Sequence, residues 1–287
     1  MYLHESEPHN DDTRTYPSRQ YLLESQGMKI ISVVNQKGGV AKTTSVANLG
    51  ASLAARGLRT LLIDLDPQAN LTLGLKRVWD DLPYALPDVM LDPRTAPISP
   101  IVRQIGETPL FLAPGHIDMA RAEAALVRQD APAYSLRHAL HAVAPMNPFD
   151  WVLIDCPPSL GMLTQNALVA SGFLIIPTEP KMYSFAGMDT LNRMIQGLSK
   201  DYNFDIKLLG VLLTIVDRNT KLSRTISGVI RERFGDLVFQ TEIFKNVKIS
   251  EAELEGRPVT EIDRNAMGAK AYSALADEVL ARVSAME

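Results

Sequence analysis

The chain is nearly devoid of cysteine: Cys156 is the single one in 287 residues. No disulfide can form within one chain, and this usage fits a reducing compartment, the cytoplasm. Long apolar runs are missing too. The longest are strand-sized, far short of the roughly 20 residues that span a bilayer. The first residues are polar and acidic (Glu5, Glu7, Asp11, Asp12) and lack the apolar core of a secretion signal. Positive charge is not in excess. Against 33 acidic residues stand 29 Lys and Arg, a formal net charge of -4. The molecule is therefore not a basic coat, and any nucleic-acid site must be a local patch. Neither internal repeats nor low-complexity segments interrupt the chain. Of the five histidines, His138 and His141 share a helix face, but no carboxylate or cysteine at ligand spacing joins them. What remains is an ordinary globular composition, 46% hydrophobic and 22% charged, in a chain long enough to bury a full core.

Residues 1–27 read as an N-terminal tail, flexible or carrying a short docking helix around 19–25, where Tyr21, Leu22 and Leu23 offer an apolar face. From Lys29 the pattern changes. Residues 30–34 form an apolar, β-branched run suited to a strand buried on both faces. A glycine-rich turn follows, then a helix over 43–56 that stops at Gly57, then a second buried strand at 60–63. This is a βαβ unit, which requires a parallel sheet. Further strands are expected at 110–112, 151–154, 173–176 and 208–215. Further helices are expected at 119–128, 135–143, 184–198, 222–234 and 266–283. The Pro- and Asp-rich stretch 77–109 gives no clear assignment. Residues 28–287 thus read as one α/β domain, a doubly wound, mostly parallel sheet with helices on both faces. Its ligand is expected outside the carboxyl ends of the strands.

The central motif is Lys37-Gly38-Gly39-Val40-Ala41-Lys42-Thr43-Thr44. It stands between a buried strand and a helix, the context a phosphate-binding loop needs. Gly38 and Gly39 let backbone N–H groups approach phosphate closely, and the helix start adds its positive dipole end. Lys42 is placed to reach the β- and γ-phosphates, and the Thr43 hydroxyl to ligate Mg²⁺. The strict pattern G-x-x-x-x-G-K-[ST] fails, because Gln36 and Ala41 occupy its glycine positions. Two acidic elements complete the set. In Asp64-Leu65-Asp66-Pro67-Gln68, strand alternation puts both carboxylates on one side at the strand's end, where an acid can position water or hold metal-bound water. In Trp151-Val-Leu-Ile-Asp155-Cys156-Pro157-Pro158-Ser159, four apolar residues precede a carboxylate placed to engage Mg²⁺. Cys156 reads as a small buried hydrophobe beside the site.

The loop with its second lysine resembles the deviant Walker A motif, K-G-G-x-x-[GA]-K-[TS], of the ParA/MinD superfamily. The D-x-D-P-Q and D-x-P-P-S stretches resemble elements of ParA proteins within it. One cysteine sets the chain apart from the cluster-bearing iron protein of nitrogenase. The resemblance covers about residues 28–284. It implies ATP as the nucleotide, and the chain also lacks an N-K-x-D base-reading motif. It implies that Lys37 reaches across a homodimer to the other subunit's nucleotide, that Asp66 supports the attacking water and belongs with Thr43 and Asp155 around the metal, and that Asp64 is a structural or an outer-shell residue. It also implies a negative φ at Ala41, since the family tolerates alanine there.

On a helical wheel, Leu222, Ile226, Val229 and Ile230 fall on one face of the helix at 222–234, opposite Lys221, Arg224, Gly228 and Arg231. Lys245, Lys248 and Arg257 follow in stretches that resemble the ParA segments R-N-V-[RK]-L-S-E-A and G-[KR]-P. The family uses basic residues hereabouts to bind DNA without sequence preference once the ATP dimer has formed. The expected DNA contacts are Lys221, Arg224, Arg231, Lys245 and Lys248. No helix-turn-helix precedes the loop. The implied function is a nucleoid-associated, ATP-dependent switch that partitions or positions a cargo with a ParB-type adaptor that stimulates hydrolysis. The alternatives are a MinD-like membrane-associated regulator, which the acid-rich C-terminal residues disfavour, and a nucleotide-gated scaffold without turnover.

Overall fold

A computed structural model describes residues 27–76, 79–146, 148–181, 186–202 and 204–287. The expected tail lies outside the described residues except for Gly27. Seven strands form one sheet in the order β3-β4-β2-β5-β1-β6-β7. They are β1 (Lys29–Val33), β2 (Thr60–Asp64), β3 (Arg103–Ile105), β4 (Leu110–Ala113), β5 (Trp151–Asp155), β6 (Phe173–Thr178) and β7 (Lys207–Leu213). All pairings are parallel except β3 with β4. The doubly wound, mostly parallel sheet expected from the sequence is therefore present.

Alternation along each strand sends side chains to two separate cores. Leu61, Ile63, Val152 and Ile154 point to one, and Ile31, Val33, Leu62 and Leu153 to the other. The first core is covered by α3 (Leu86–Leu91), α4 (Met119–Leu126), α5 (Ser135–Val143), α6 (Met162–Ala170), α7 (Ala186–Tyr202) and α8 (Lys221–Phe234). The second is covered by α1 (Lys42–Ala54), α9 (Val247–Glu255), α10 (Val259–Ile262) and α11 (Met267–Met286), beside the short α2 (Asn70–Gly74). Such two-sided burial explains why the strands read as continuous apolar runs.

Three points differ from the sequence reading, two of them for physical reasons. The uncertain stretch holds α3, started by Pro87 in its first turn, and the edge strand β3, both too short to show a period. The helix expected from residue 184 is described from Ala186, and residues 184 and 185 lie outside the described set. The apolar face assigned to α8 is corrected. Its inward row is Ser223, Ile226, Ser227 and Ile230, whereas Leu222 and Val229 are 58% and 44% exposed. The row at i, i+3, i+4 and i+7 starts one residue later than hydrophobicity suggests, and two small serines lie against the body.

Candidate functional site

The phosphate loop runs from the end of β1 into α1, and buried polar contacts hold it at both ends. Asn35 is the first. Its Oδ1 accepts from Lys37 N at 2.9 Å, and its Nδ2 donates to Pro177 O at 2.7 Å, tying the loop to the end of β6. At the other side Thr214 Oγ1 donates to Val40 O at 3.0 Å. Gly39 takes φ +72, a conformation that costs glycine little. Ala41 takes φ 59 and ψ 36 directly before α1. This overturns the expected negative φ: the turn into α1 demands the left-handed region whatever residue stands there, at a cost of about 1–2 kcal/mol for alanine. Ala69 (φ 51), Lys76 (φ 47) and Ile215 (φ 53) complete the described non-glycine residues with positive φ. Ala41 and Ile215 line the site cavity, and Ala69 lies between two residues that do. Backbone strain collects at functional sites in this manner.

The two loop lysines differ sharply. Lys42 is buried, and its Nζ donates to Lys37 O at 3.2 Å, within the loop that must cradle phosphate. Burial pulls its ammonium below the ordinary value, against the opposing pull of Asp155, Cys156 and Asp66. Lys37 is 41% exposed and rests 3.5 Å from Glu179, a residue after β6 that sequence reasoning missed. Lys181 shares that carboxylate at 2.7 Å.

The carboxylates divide by partner. Asp64 accepts from Thr72 N (2.9 Å), Thr72 Oγ1 (2.7 Å) and Asp66 N (3.3 Å). Thr72 in turn accepts from Gly115 N at 2.8 Å, so Asp64 clamps α2 and the segment after β4. That agrees with a structural role. Asp66 lines the cavity, and its Oδ1 accepts from Gln68 N at 2.9 Å. Asp155 is wholly buried, and neither of its carboxylate oxygens has a well-formed hydrogen bond; the neighbouring Thr43 hydroxyl falls short of that geometry. Burial first, then the charge of Asp64, pushes its carboxyl well above the usual range, while Thr43 and Lys42 oppose the rise. Burial likewise pushes the Cys156 thiol well up, as suits a structural cysteine.

An orphaned, buried carboxylate beside a threonine hydroxyl fits a hard cation, which takes oxygen ligands. Among the described residues no three His, Cys, Asp or Glu side chains converge to hold a metal by themselves. Mg²⁺ needs no such cage, because it keeps several waters and shares substrate phosphates.

A cavity of about 760 Å³ extends from the loop across α1 to the segment before α9, within the usual size of a small-ligand site. Gly38, Lys42, Thr43, Thr44 and Asp66 line it, together with the apolar Ile215, Ile243 and Phe244. The Arg218 guanidinium lies 3.4 Å from the centroid of the Phe244 ring. The site therefore joins a polar, cationic cradle to an apolar wall.

The five expected DNA contacts do not share one environment. Lys221 and Arg224 are exposed on α8, and Lys245 is exposed at the cavity rim. An isolated bridge between Val216 and Phe244 brings the Lys245 segment beside the chain leading into α8. Lys248 is exposed and pairs with Glu251 at 2.7 Å. Arg231 is half-buried, paired with Glu242 at 2.8 Å and donating to Phe239 O at 3.1 Å.

A family model described as an AAA domain matches residues 28–208. The sporulation initiation inhibitor protein Soj of Bacillus subtilis is 40% identical over 253 residues, 88% of this chain and 98% of Soj. The chromosome partitioning protein ParA of Caulobacter vibrioides is 36% identical over 260 residues, 91% of this chain and 97% of ParA. Among solved structures, the cobyrinic acid a,c-diamide synthase of Mycobacterium smegmatis with bound ATP analogue and magnesium is 35% identical. It superposes with a TM-score of 0.76, covering 91% of this chain and 97% of that one.

Proposed function

This chain belongs to the ParA/MinD-type P-loop ATPases, and on that premise we propose that it is a partitioning ATPase that dimerises on ATP and binds DNA in that state. The supporting observation is the division of labour between the two loop lysines: Lys42 buried under the loop, Lys37 exposed at its rim. A buried lysine serves the nucleotide of its own subunit. An exposed one, paired with a carboxylate that Lys181 shares, can turn toward a second copy.

In this reading the loop N–H groups take the phosphates of ATP, and Lys42 exchanges Lys37 O for a phosphate oxygen. Thr43, Asp155 and Asp66 are the residues to hold Mg²⁺, directly or through water. That ion, when bound, neutralises charge on the phosphate oxygens. Asp66 orients the attacking water at the cavity wall. Lys37 leaves Glu179 and offsets charge at the nucleotide of the other subunit, where fixed cations stabilise the transition state. Closing two subunits joins the Lys221, Arg224, Lys245 and Lys248 surfaces, and phosphate attraction grows with the number of clustered cations. Arg231 is assigned instead to holding α8 on the segment before α9. A ParB-type adaptor stimulates hydrolysis, opens the dimer and moves a cargo over the nucleoid.

The MinD-like membrane alternative would call for an interfacial helix rather than a spanning one. No described helix is long and apolar enough to cross a bilayer. The apolar face of α11 is buried in the body through Tyr272, Leu275, Val279 and Val283, which leaves no such stripe for lipid.

The test is a titration onto random-sequence duplex DNA with ATP–Mg²⁺, ADP–Mg²⁺ or no nucleotide, across a range of salt. Tight, salt-sensitive binding with ATP alone is expected. Equal, negligible binding in all three states would remove DNA from the reading and leave the ATPase.

A further inference from the structure

Glu253 stands where its charge has the wrong sign. The cavity is built to receive an anion, with loop N–H groups, a helix start and Lys42 at one end. Yet Glu253, on α9, lines the same cavity. Its Oε1 accepts a 2.5 Å hydrogen bond from Thr44 Oγ1 in the first turn of α1, across 209 residues of sequence. Thr44 belongs to the phosphate loop itself, directly after Lys42, assigned to the β- and γ-phosphates, and Thr43, assigned to the metal.

The contact is not isolated. Asn48, one turn further along α1, donates to Thr44 O at 2.8 Å and accepts from Val259 N at 2.8 Å, fastening the start of α10. The other end of α9 is capped by Asn246, whose Oδ1 accepts from Lys248 N at 2.8 Å. Lys245 and Lys248 thus flank the start of the helix whose last turns carry Glu253. At its end, Gly256 takes φ +74, and the aliphatic stem of Lys76 lies where a Cβ would be. The helix therefore links the phosphate loop to the basic rim as a packed unit.

We propose that Glu253 is an electrostatic latch on the nucleotide site, closed against Thr44 when the site is empty and displaced when the phosphate chain arrives. The latch rests on the ATP-site reading above. An incoming phosphate puts negative charge beside the carboxylate and claims the loop end that Thr44 occupies. Repulsion between like charges at contact then drives Glu253 off Thr44. The release frees the last turns of α9, and the helix carries the change to Lys245 and Lys248. The coupling is reciprocal: whatever draws those lysines outward, a DNA phosphate included, also opens the latch and favours nucleotide.

The experiment is equilibrium binding of ATP–Mg²⁺ and ADP–Mg²⁺ to the full chain, comparing the wild type with Glu253→Gln and Glu253→Ala at low and moderate salt. Glutamine keeps the acceptor for Thr44 and removes only the charge, and the alanine variant removes both. The expected result is tighter binding of both nucleotides by about three- to tenfold in each variant, the range of a single partly screened charge contact, with the gain shrinking as salt rises. DNA binding without nucleotide is expected to rise in the alanine variant. Unchanged affinity in both variants overturns the latch. Weaker binding overturns it as well and marks Glu253 as a group that holds the nucleotide, for instance at a ribose hydroxyl. A wild type that binds neither nucleotide overturns the ATP-site reading itself, an outcome separate from any difference between variants.

Discussion

Asp64 and Asp155 lie opposite each other in register at the ends of β2 and β5, and they are satisfied in opposite ways. Asp64 accepts three hydrogen bonds, two of them from Thr72. Asp155 accepts none that is well formed. One carboxylate holds the architecture together. The other is left in want of a cation.

Replacing that unsatisfied group should therefore separate stability from activity. Asp155→Asn is expected to stabilise the nucleotide-free protein, because it removes a buried charge that desolvation penalises while keeping the shape, and to abolish turnover. Thermal melts paired with phosphate-release assays read both effects. A lower melting temperature would mean that Asp155 is already well accommodated without metal.

Asp64 sets a pH dependence of unusual direction. Burial is the main cause that pushes its carboxyl up to about 6 from the ordinary 3.8. Between those values the folded chain keeps a proton that the unfolded chain has lost, so stability falls as pH rises through this window. The contribution is at most about 3 kcal/mol and is shared with the neighbouring Asp155, whose charge interacts with this group. Urea melts at stepped pH between about 4 and 6 should show a flatter profile in Asp64→Asn than in the wild type. Parallel profiles would show that the group ionises normally.

At Ala41 the strain is local and can be relieved. Ala41→Gly removes the Cβ that penalises φ 59, and after the greater freedom of the unfolded glycine a net gain of about 0.5–1 kcal/mol is expected. Chemical denaturation measures it. A loss of stability would mean that the loop prefers the stiffer residue despite its conformation.

The basic residues are predicted to separate into two groups. The double variant Lys221→Ala and Arg224→Ala should weaken DNA binding with ATP and flatten the log–log salt dependence by about 2, roughly one for each phosphate no longer neutralised. Arg231→Ala should leave that slope unchanged and cost about 1 kcal/mol of stability, because Glu242 and Phe239 O lose their donor. A change of slope in Arg231→Ala would return it to the DNA surface.

Much of this is legible in the chain because the information is local. The β-branched run of β1, the glycine pair and the lysine of the loop sit close together in the chain. The acids at the ends of β2 and β5 follow directly from strand alternation. Helix α6 escapes a sequence reading because it is buried nearly all round, Thr164 and Asn166 along with Leu163, Ala167, Leu168 and Val169, and such a helix shows no face. Helix α9 reads only as a basic segment, since its charges draw more notice than its Asn246 cap and Gly256 stop. Residues that act through distant partners leave no signal. Asn35 is ordinary until Pro177 is beside it, and Glu253 is one acid among many until Thr44 meets it. The φ of Ala41 escapes for a related reason: the turn geometry, not the side chain, decides it.

The bonds between α1 and α11 bear on how the chain is made. Ser45 meets Tyr272, and Arg56 reaches Ser273 and Asp277, so the helix that begins at the phosphate loop leans on residues translated long after it. A ribosome that has delivered β1 and the loop has delivered a motif without its buttress. Until α11 emerges, α1 has only one side of its packing, and the nascent chain holds the signature of an ATPase well before it holds a working site.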